Sequence, residues 1–151
     1  MANTQAVCTS FKVELMTGHH ALGTTVTRAG TGADTIRAAL YLASATVNAS
    51  TTAYSSTGEV SGTNYTAGGA TVTNATAPIS SGTTAFWTPS ASIAWTTVTL
   101  STAFDCVLLY NDTQGDRAIA AYTFGSQTVT AGNFTLTMPT NDASTGLLRI
   151  A

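Results

Sequence analysis

The sharpest pattern in the chain is the alternation in NFTLTMP, residues 133–139. Phe134, Leu136 and Met138 fall on one side while Thr135 and Thr137 fall on the other, the period of a strand with one covered face. FDCVLLYN (104–111) differs, because CVLLY is apolar at consecutive positions and so predicts a strand covered on both faces, central in its sheet. RAIAAYTF (117–124) follows after NDTQGD, whose Asn, Asp and Gly residues favour a tight turn, and the pair predicts a hairpin. Further strands are expected over TIRAALYLA (35–43), ATVTNATAPIS (70–80), TTAFW (83–87), IAWTTVTL (93–100) and the closing GLLRIA, with Gly68-Gly69, Ser80-Ser81-Gly82 and the segment around Pro89 as connections. Seven to nine short strands spaced by about ten residues predict an all-β fold, a single β-sandwich, with a jelly roll among its topologies.

One segment breaks the β pattern. In TSFKVELMTGHH, Cys8, Phe11, Leu15 and Met16 recur at helical spacing, Ser10 is placed to cap the start and Gly18 to end the helix. About two turns of helix do not persist alone in water, so the apolar side must dock, either on the body of the same domain or on a neighbouring subunit. ALGTTVTRAGTGAD (21–34) then reads as an extended arm. The expected organisation is a helix and arm over 1–34 and a β-body over 35–151.

Composition changes this picture in one respect. Charged residues make up only 8% of the 151 residues, and residues 60–104 contain no Asp, Glu, Lys or Arg. Low hydrophobicity with high net charge marks disorder, whereas this chain is 44% hydrophobic with a formal charge of -2 and a mean hydropathy of +0.19. The charge-free stretch also carries Tyr65, Val72, Ile79, Phe86, Trp87, Ile93 and Trp95, each worth roughly 1.5–3 kcal/mol when buried. Sheet with outward threonines and Gly-rich turns is the expected state, while for VSGTNYTAGG (60–69) an exposed, mobile loop stays open as the alternative. A surface so poor in charge favours a protein that works inside an assembly.

Several function classes lose support. Five basic residues cannot build a surface that tracks phosphates, which disfavours nucleic acid. No stretch reaches the roughly 18 apolar residues of a membrane helix, and MANTQAVCTSFKVEL lacks a basic-then-apolar leader, so a soluble cytoplasmic product is expected. Cys8 and Cys106 are accordingly expected as free thiols.

Candidate chemistry is sparse. His19-His20 is the most suggestive pair, but adjacent side chains diverge and no Cys-x-x-Cys or His-x-x-x-His accompanies them. Cys106 lies in the most apolar strand, the setting of an inert thiol. NDTQGD lacks the terminal bidentate Glu of a calcium loop, and AGTGAD lacks the strand and third glycine of a nucleotide fingerprint. Arg117 could pair with Asp105 or Asp116, and Arg149 with Asp142, and such pairs read as ordinary surface ion pairs. No catalytic residue, cofactor or metal site is expected.

MANTQAVCTSFKVELMTGHHAL, followed by IRAALYLASATVNASTTAY, and the closing LLYNDTQGDRAIAAYTFGSQTVTAGNFTLTMPTNDASTGLLRIA resemble small virion proteins of tailed bacteriophages. Within that class the resemblance implies a capsid decoration or cement protein, small, β-rich, often homotrimeric and without a cofactor. Its place would be the outer capsid surface, bound to the major capsid protein, after synthesis in the host bacterial cytoplasm. On this reading Phe11, Leu15 and Met16, with His19, His20 and Arg28, are the expected capsid-contacting residues, and the β-body supplies the trimer contacts. The rival is a tail or fibre component, a connector or a glycan-binding adhesin that uses Tyr41, Tyr54, Tyr65, Trp87 and Trp95 as stacking faces.

Overall fold

Two long antiparallel strands organise the chain, Ile93–Asn111 and Arg117–Leu136, joined by the NDTQGD turn in which Gly115 and Asp116 take φ of 71° and 61°. The computed structural model describes residues 2–16, 18–23, 32–74 and 76–151. In chain order the elements are β1 (Ala6–Val7), α1 (Thr9–Met16), β2 (Ile36–Leu42), β3 (Ala70–Thr71), β4 (Ile79–Ser81), β5 (Thr84–Trp87), β6 (Ile93–Asn111), β7 (Arg117–Leu136) and β8 (Leu148–Ile150). They form two antiparallel sheets, a five-stranded one in the order β1-β7-β6-β2-β3 and a three-stranded one in the order β4-β5-β8. The all-β class holds, and the doubly apolar CVLLY lies in β6, the middle strand of the larger sheet.

The strands are not uniformly short, as the sequence had implied. IAWTTVTL and FDCVLLYN are one strand, as are RAIAAYTF and the start of NFTLTMP, and together they make one bent hairpin. Strict alternation from Ile93 and Trp95 would turn Thr97 inward. Instead the register shifts between Trp95 and Val98, Thr97 takes φ of 54°, and Val98 and Leu100 rejoin the covered face. The bulge is held from both sides: Thr97 N–H donates to Asn133 Oδ1 at 2.9 Å and its carbonyl accepts from Asn64 Nδ2 at 2.9 Å.

ATVTNATAPIS is likewise not one strand. Among the described residues Ala70–Thr71 and Ile79–Ser81 form two separate strands, and Asn74 between them bonds the Leu22 carbonyl and accepts from Trp87 Nε1 at 3.2 Å. Its side chain ties the connection to the core where a ladder would otherwise run.

The Gly-rich segment, whose order the sequence leaves open, is packed. A Cβ on Gly69 (φ 70°) would sit 1.8 Å from the Ala38 carbonyl oxygen, so only glycine lets this loop lie on β2. Arg37 donates to the Gly68 carbonyl at 3.1 Å and the Gly69 carbonyl at 2.8 Å, and Tyr110 Oη donates to Gly68 at 2.7 Å. Beneath it the buried Glu59 carboxylate accepts from Tyr54 Oη (2.6 Å), Tyr65 Oη (2.7 Å) and Gly68 N–H (2.9 Å). Burial and then the bond to Glu59 raise both tyrosines above their ordinary range, so these hydroxyls stay protonated donors. Tyr54 also stacks on Tyr110 at 4.8 Å, covering one face of the hairpin.

Candidate docking surface around the first helix

The N-terminal helix forms where the spacing placed it, and its end follows the glycine logic. Gly18 takes φ of 73°, Gly18 N–H bonds the Leu15 carbonyl at 3.2 Å and His19 N–H the Glu14 carbonyl at 3.0 Å, the paired bonds of a Schellman stop. The start differs: the helix begins at Thr9, so Ser10 is inside the first turn, with its Oγ buried and unpartnered among the described residues. Thr9 N–H instead donates to Ala49, and Cys8 N–H to Ile119 on β7, fastening the helix entry to the body.

The docking face is this chain's own. Phe11 is fully buried in the core and meets the His20 ring edge-on at 4.7 Å. Leu15 is half-buried against the same core, and the His20 side chain is wholly covered. Phe11 and His20 thus lie inside, whereas Leu15 and His19 keep part of their surface at the exterior. The Met16 side chain and all of Arg28 lie outside the described residues.

His20 sits in a polar knot that joins α1 to the hairpin turn. Asn111 Oδ1 accepts from Gln114 N–H, which directs its Nδ2 toward Asp34 Oδ2 at 2.8 Å and His20 Nδ1 at 3.1 Å. An amide nitrogen only donates, so His20 Nδ1 accepts and Nε2 carries the proton, donating to Glu14 Oε2 at 2.7 Å. Glu14 Oε1 takes Arg117 Nη1 at 2.6 Å, the place that the sequence left open to Asp105 or Asp116. Asp105 accepts from Asn3 instead, and Arg149 donates to the carbonyls of Ala143 and Ser144 rather than bonding Asp142.

The charges follow from these contacts. Burial depresses His20 below its ordinary value, more than the neighbouring Glu14 and Asp34 charges raise it, which agrees with the neutral tautomer. Burial opposes ionisation of Glu14, yet the hydrogen bonds from His20 and Arg117 with the Arg117 charge outweigh it and hold the carboxyl below its usual range. The knot is therefore an Arg117–Glu14 ion pair with a neutral imidazole bonded to it.

The other candidate chemistry is buried. Cys8 and Cys106 form no disulfide, and burial pushes their thiols up to about 11 and about 12. Among the described residues no cluster of three or more His, Cys, Asp or Glu is placed to hold a metal ion, and no helix is long and apolar enough to cross a membrane. Tyr41, Trp87 and Trp95 are core residues, and the hydroxyls of Tyr54 and Tyr65 are committed to Glu59.

α1 borders a groove of about 760 Å³ lined by Val7, Phe11, Lys12, Leu15, Arg149 and Ile150, and by Ala151. A smaller cleft of about 140 Å³ continues from Phe11, Leu15 and Ile150 toward Phe86 and Trp87. Compared with protein-family models, curated proteins and solved structures, the chain matches none.

Proposed function

We propose that this protein is a non-enzymatic virion component, a capsid decoration or cement protein that binds the outer shell of a tailed bacteriophage and stabilises contacts between major capsid subunits, acting as a homotrimer. The observation that carries this reading is the outer part of the β6–β7 hairpin. Residues 93–104 and 118–136 hold no charged side chain, and the positions they expose are Thr, Ser, Ala, Asn, Gln and Gly, including Thr96, Thr102, Ser126, Thr128 and Thr135. Hydroxyl and amide groups bond a partner's backbone without the desolvation cost of a charge, so such a surface suits coverage by other subunits. The resemblance of both ends of the chain to small phage virion proteins points the same way.

The physical task is a clamp. A ligand that binds only the assembled lattice stabilises it by mass action, and a trimer engaging several sites at once multiplies weak contacts through effective concentration. A reconstruction of the intact particle by cryo-electron microscopy tests the reading. Density for this chain on the outer shell at threefold or quasi-threefold junctions is the expected result, and density at the tail or fibre would replace it with the connector or adhesin reading.

A further inference from the structure

We propose that the groove beside α1 docks an extended peptide that is apolar with an acidic residue, paired as an added strand along β8. Three observations converge on that occupant. First, β8 is the last strand of its sheet, and three consecutive residues, Arg149, Ile150 and Ala151, all line the groove. Arg149 and Ile150 are successive residues of β8 and point to opposite faces, so a groove touched by both, and by Ala151 just past the strand, runs along the strand's edge, the side open to another strand.

Second, the remaining walls are apolar. Val7 and Leu15 are half-covered, the buried Phe11 lies beneath them, and Ile150 is 49% exposed, one of two large apolar side chains so open among the described residues. Third, the polar lining side chains are both cations. Lys12 is exposed and makes no ion pair among the described residues, and Arg149 reaches only backbone carbonyls by hydrogen bond. Among the described residues no acidic side chain lines the groove, and Glu14 on the same helix is turned to His20 and Arg117.

An alkyl carboxylate satisfies the last two features but leaves the β8 edge unpaired. A peptide strand satisfies all three, with main-chain bonds to β8, side chains against Val7, Leu15 and Ile150, and a carboxylate between Lys12 and Arg149. The inference rests on the decoration reading only for the peptide's source, which is then an arm of a shell subunit.

The test is a nuclear magnetic resonance titration of the isotope-labelled full chain with three probes: an acetylated and amidated Val-Thr-Val-Glu-Val-Thr-Val peptide, the same peptide with Lys for Glu, and decanoate. The acidic peptide is expected to shift the amides of Lys12, Arg149 and Ile150, to slow exchange at β8, and to bind at least fivefold more tightly than the Lys peptide. Lys12→Glu with Arg149→Glu is expected to reverse that order, and Ile150→Lys to weaken both peptides. All three sites are exposed, and the wild-type comparison of the two peptides decides the matter even if a variant fails to fold. Equal binding of the two peptides, shifts confined elsewhere, saturation by decanoate alone, or no binding by any probe would each overturn the proposal. A particle carrying this protein on its outer shell with no strand beside β8 would overturn the inference and leave the decoration reading standing.

Discussion

His20 Nε2 lies 2.7 Å from Glu14 Oε2 across a side chain with no solvent exposure, and the hydrogen-bond polarity at Asn111 makes this imidazole a neutral donor. A second proton on Nδ1 would face the Asn111 amide hydrogens, so the knot between α1 and the hairpin turn is built for one protonation state.

Acid should therefore loosen this corner in two stages. His20 is depressed from 6.5, so the folded state binds fewer protons than the unfolded state below that value, and its stabilisation is present above pH 6.5 and lost as pH falls through the depressed value. Glu14, depressed from 4.5, adds a second loss below pH 4.5. In thermal unfolding followed across pH 4–8, His20→Gln should flatten the change just below pH 6.5 and leave the lower one. An unchanged slope in that variant would refute the assignment.

Gly69→Ala should cost about 3 kcal/mol or more, because the new methyl meets the Ala38 carbonyl carbon and oxygen of β2 and the left-handed backbone at once. Gly82→Ala is the control. Gly82 has a similar φ of 59° with nothing within 4 Å of the added atom, so only the backbone cost of about 1–2 kcal/mol applies. Urea denaturation of the two variants should separate them clearly.

Removing the Glu59 carboxylate should destabilise by about 2–4 kcal/mol in Glu59→Ala, since Tyr54, Tyr65 and the Gly68 amide lose a shared charged acceptor. Tyr54→Phe and Tyr65→Phe should each cost about 1 kcal/mol alone and markedly less when Glu59 is already Ala. Additive costs in that double-mutant cycle would show that the three side chains do not act as a unit.

Phe11→Ala should cost about 3–5 kcal/mol, as the side chain is fully enclosed and its loss leaves a cavity beside His20. Lys12→Ala, one position on and exposed, should change stability by less than about 0.5 kcal/mol. Equal effects would mean that α1 does not dock through its Phe11 face.

The hairpin was legible because NDTQGD and the doubly apolar CVLLY are local signals, and the helix because Phe11, Leu15 and Gly18 fall at fixed offsets. Its continuation was not, because Ser101-Thr102-Ala103 reads as a break, and the strand runs through it only with a register shift against β7 between Leu100 and Phe104. The Glu59 node leaves a trace in the sequence: Glu59 is the one Asp, Glu, Lys or Arg between Arg37 and Asp105, and Tyr54 and Tyr65 flank it. A lone charge in so apolar a stretch needs partners if the chain folds over it. The link of His20 to Asn111 spans 91 positions, and no periodicity reaches that far. The same limit explains why Phe11 and His20 were assigned to a foreign surface, since an apolar helical face declares that it docks without declaring where.

The pairing of Ala6 with Ala121 and Val7 with Ala120 bears on how the chain acquires its shape. On a ribosome the first strand and helix emerge more than a hundred residues before the strand that receives them, and closing so long a loop is slow and entropically costly. The β6–β7 hairpin can zip from its own turn as soon as it is made. β1 and α1 are thus synthesised before β7 yet cannot be seated until it exists, so the α1 wall of the groove is completed only once β7 is in place.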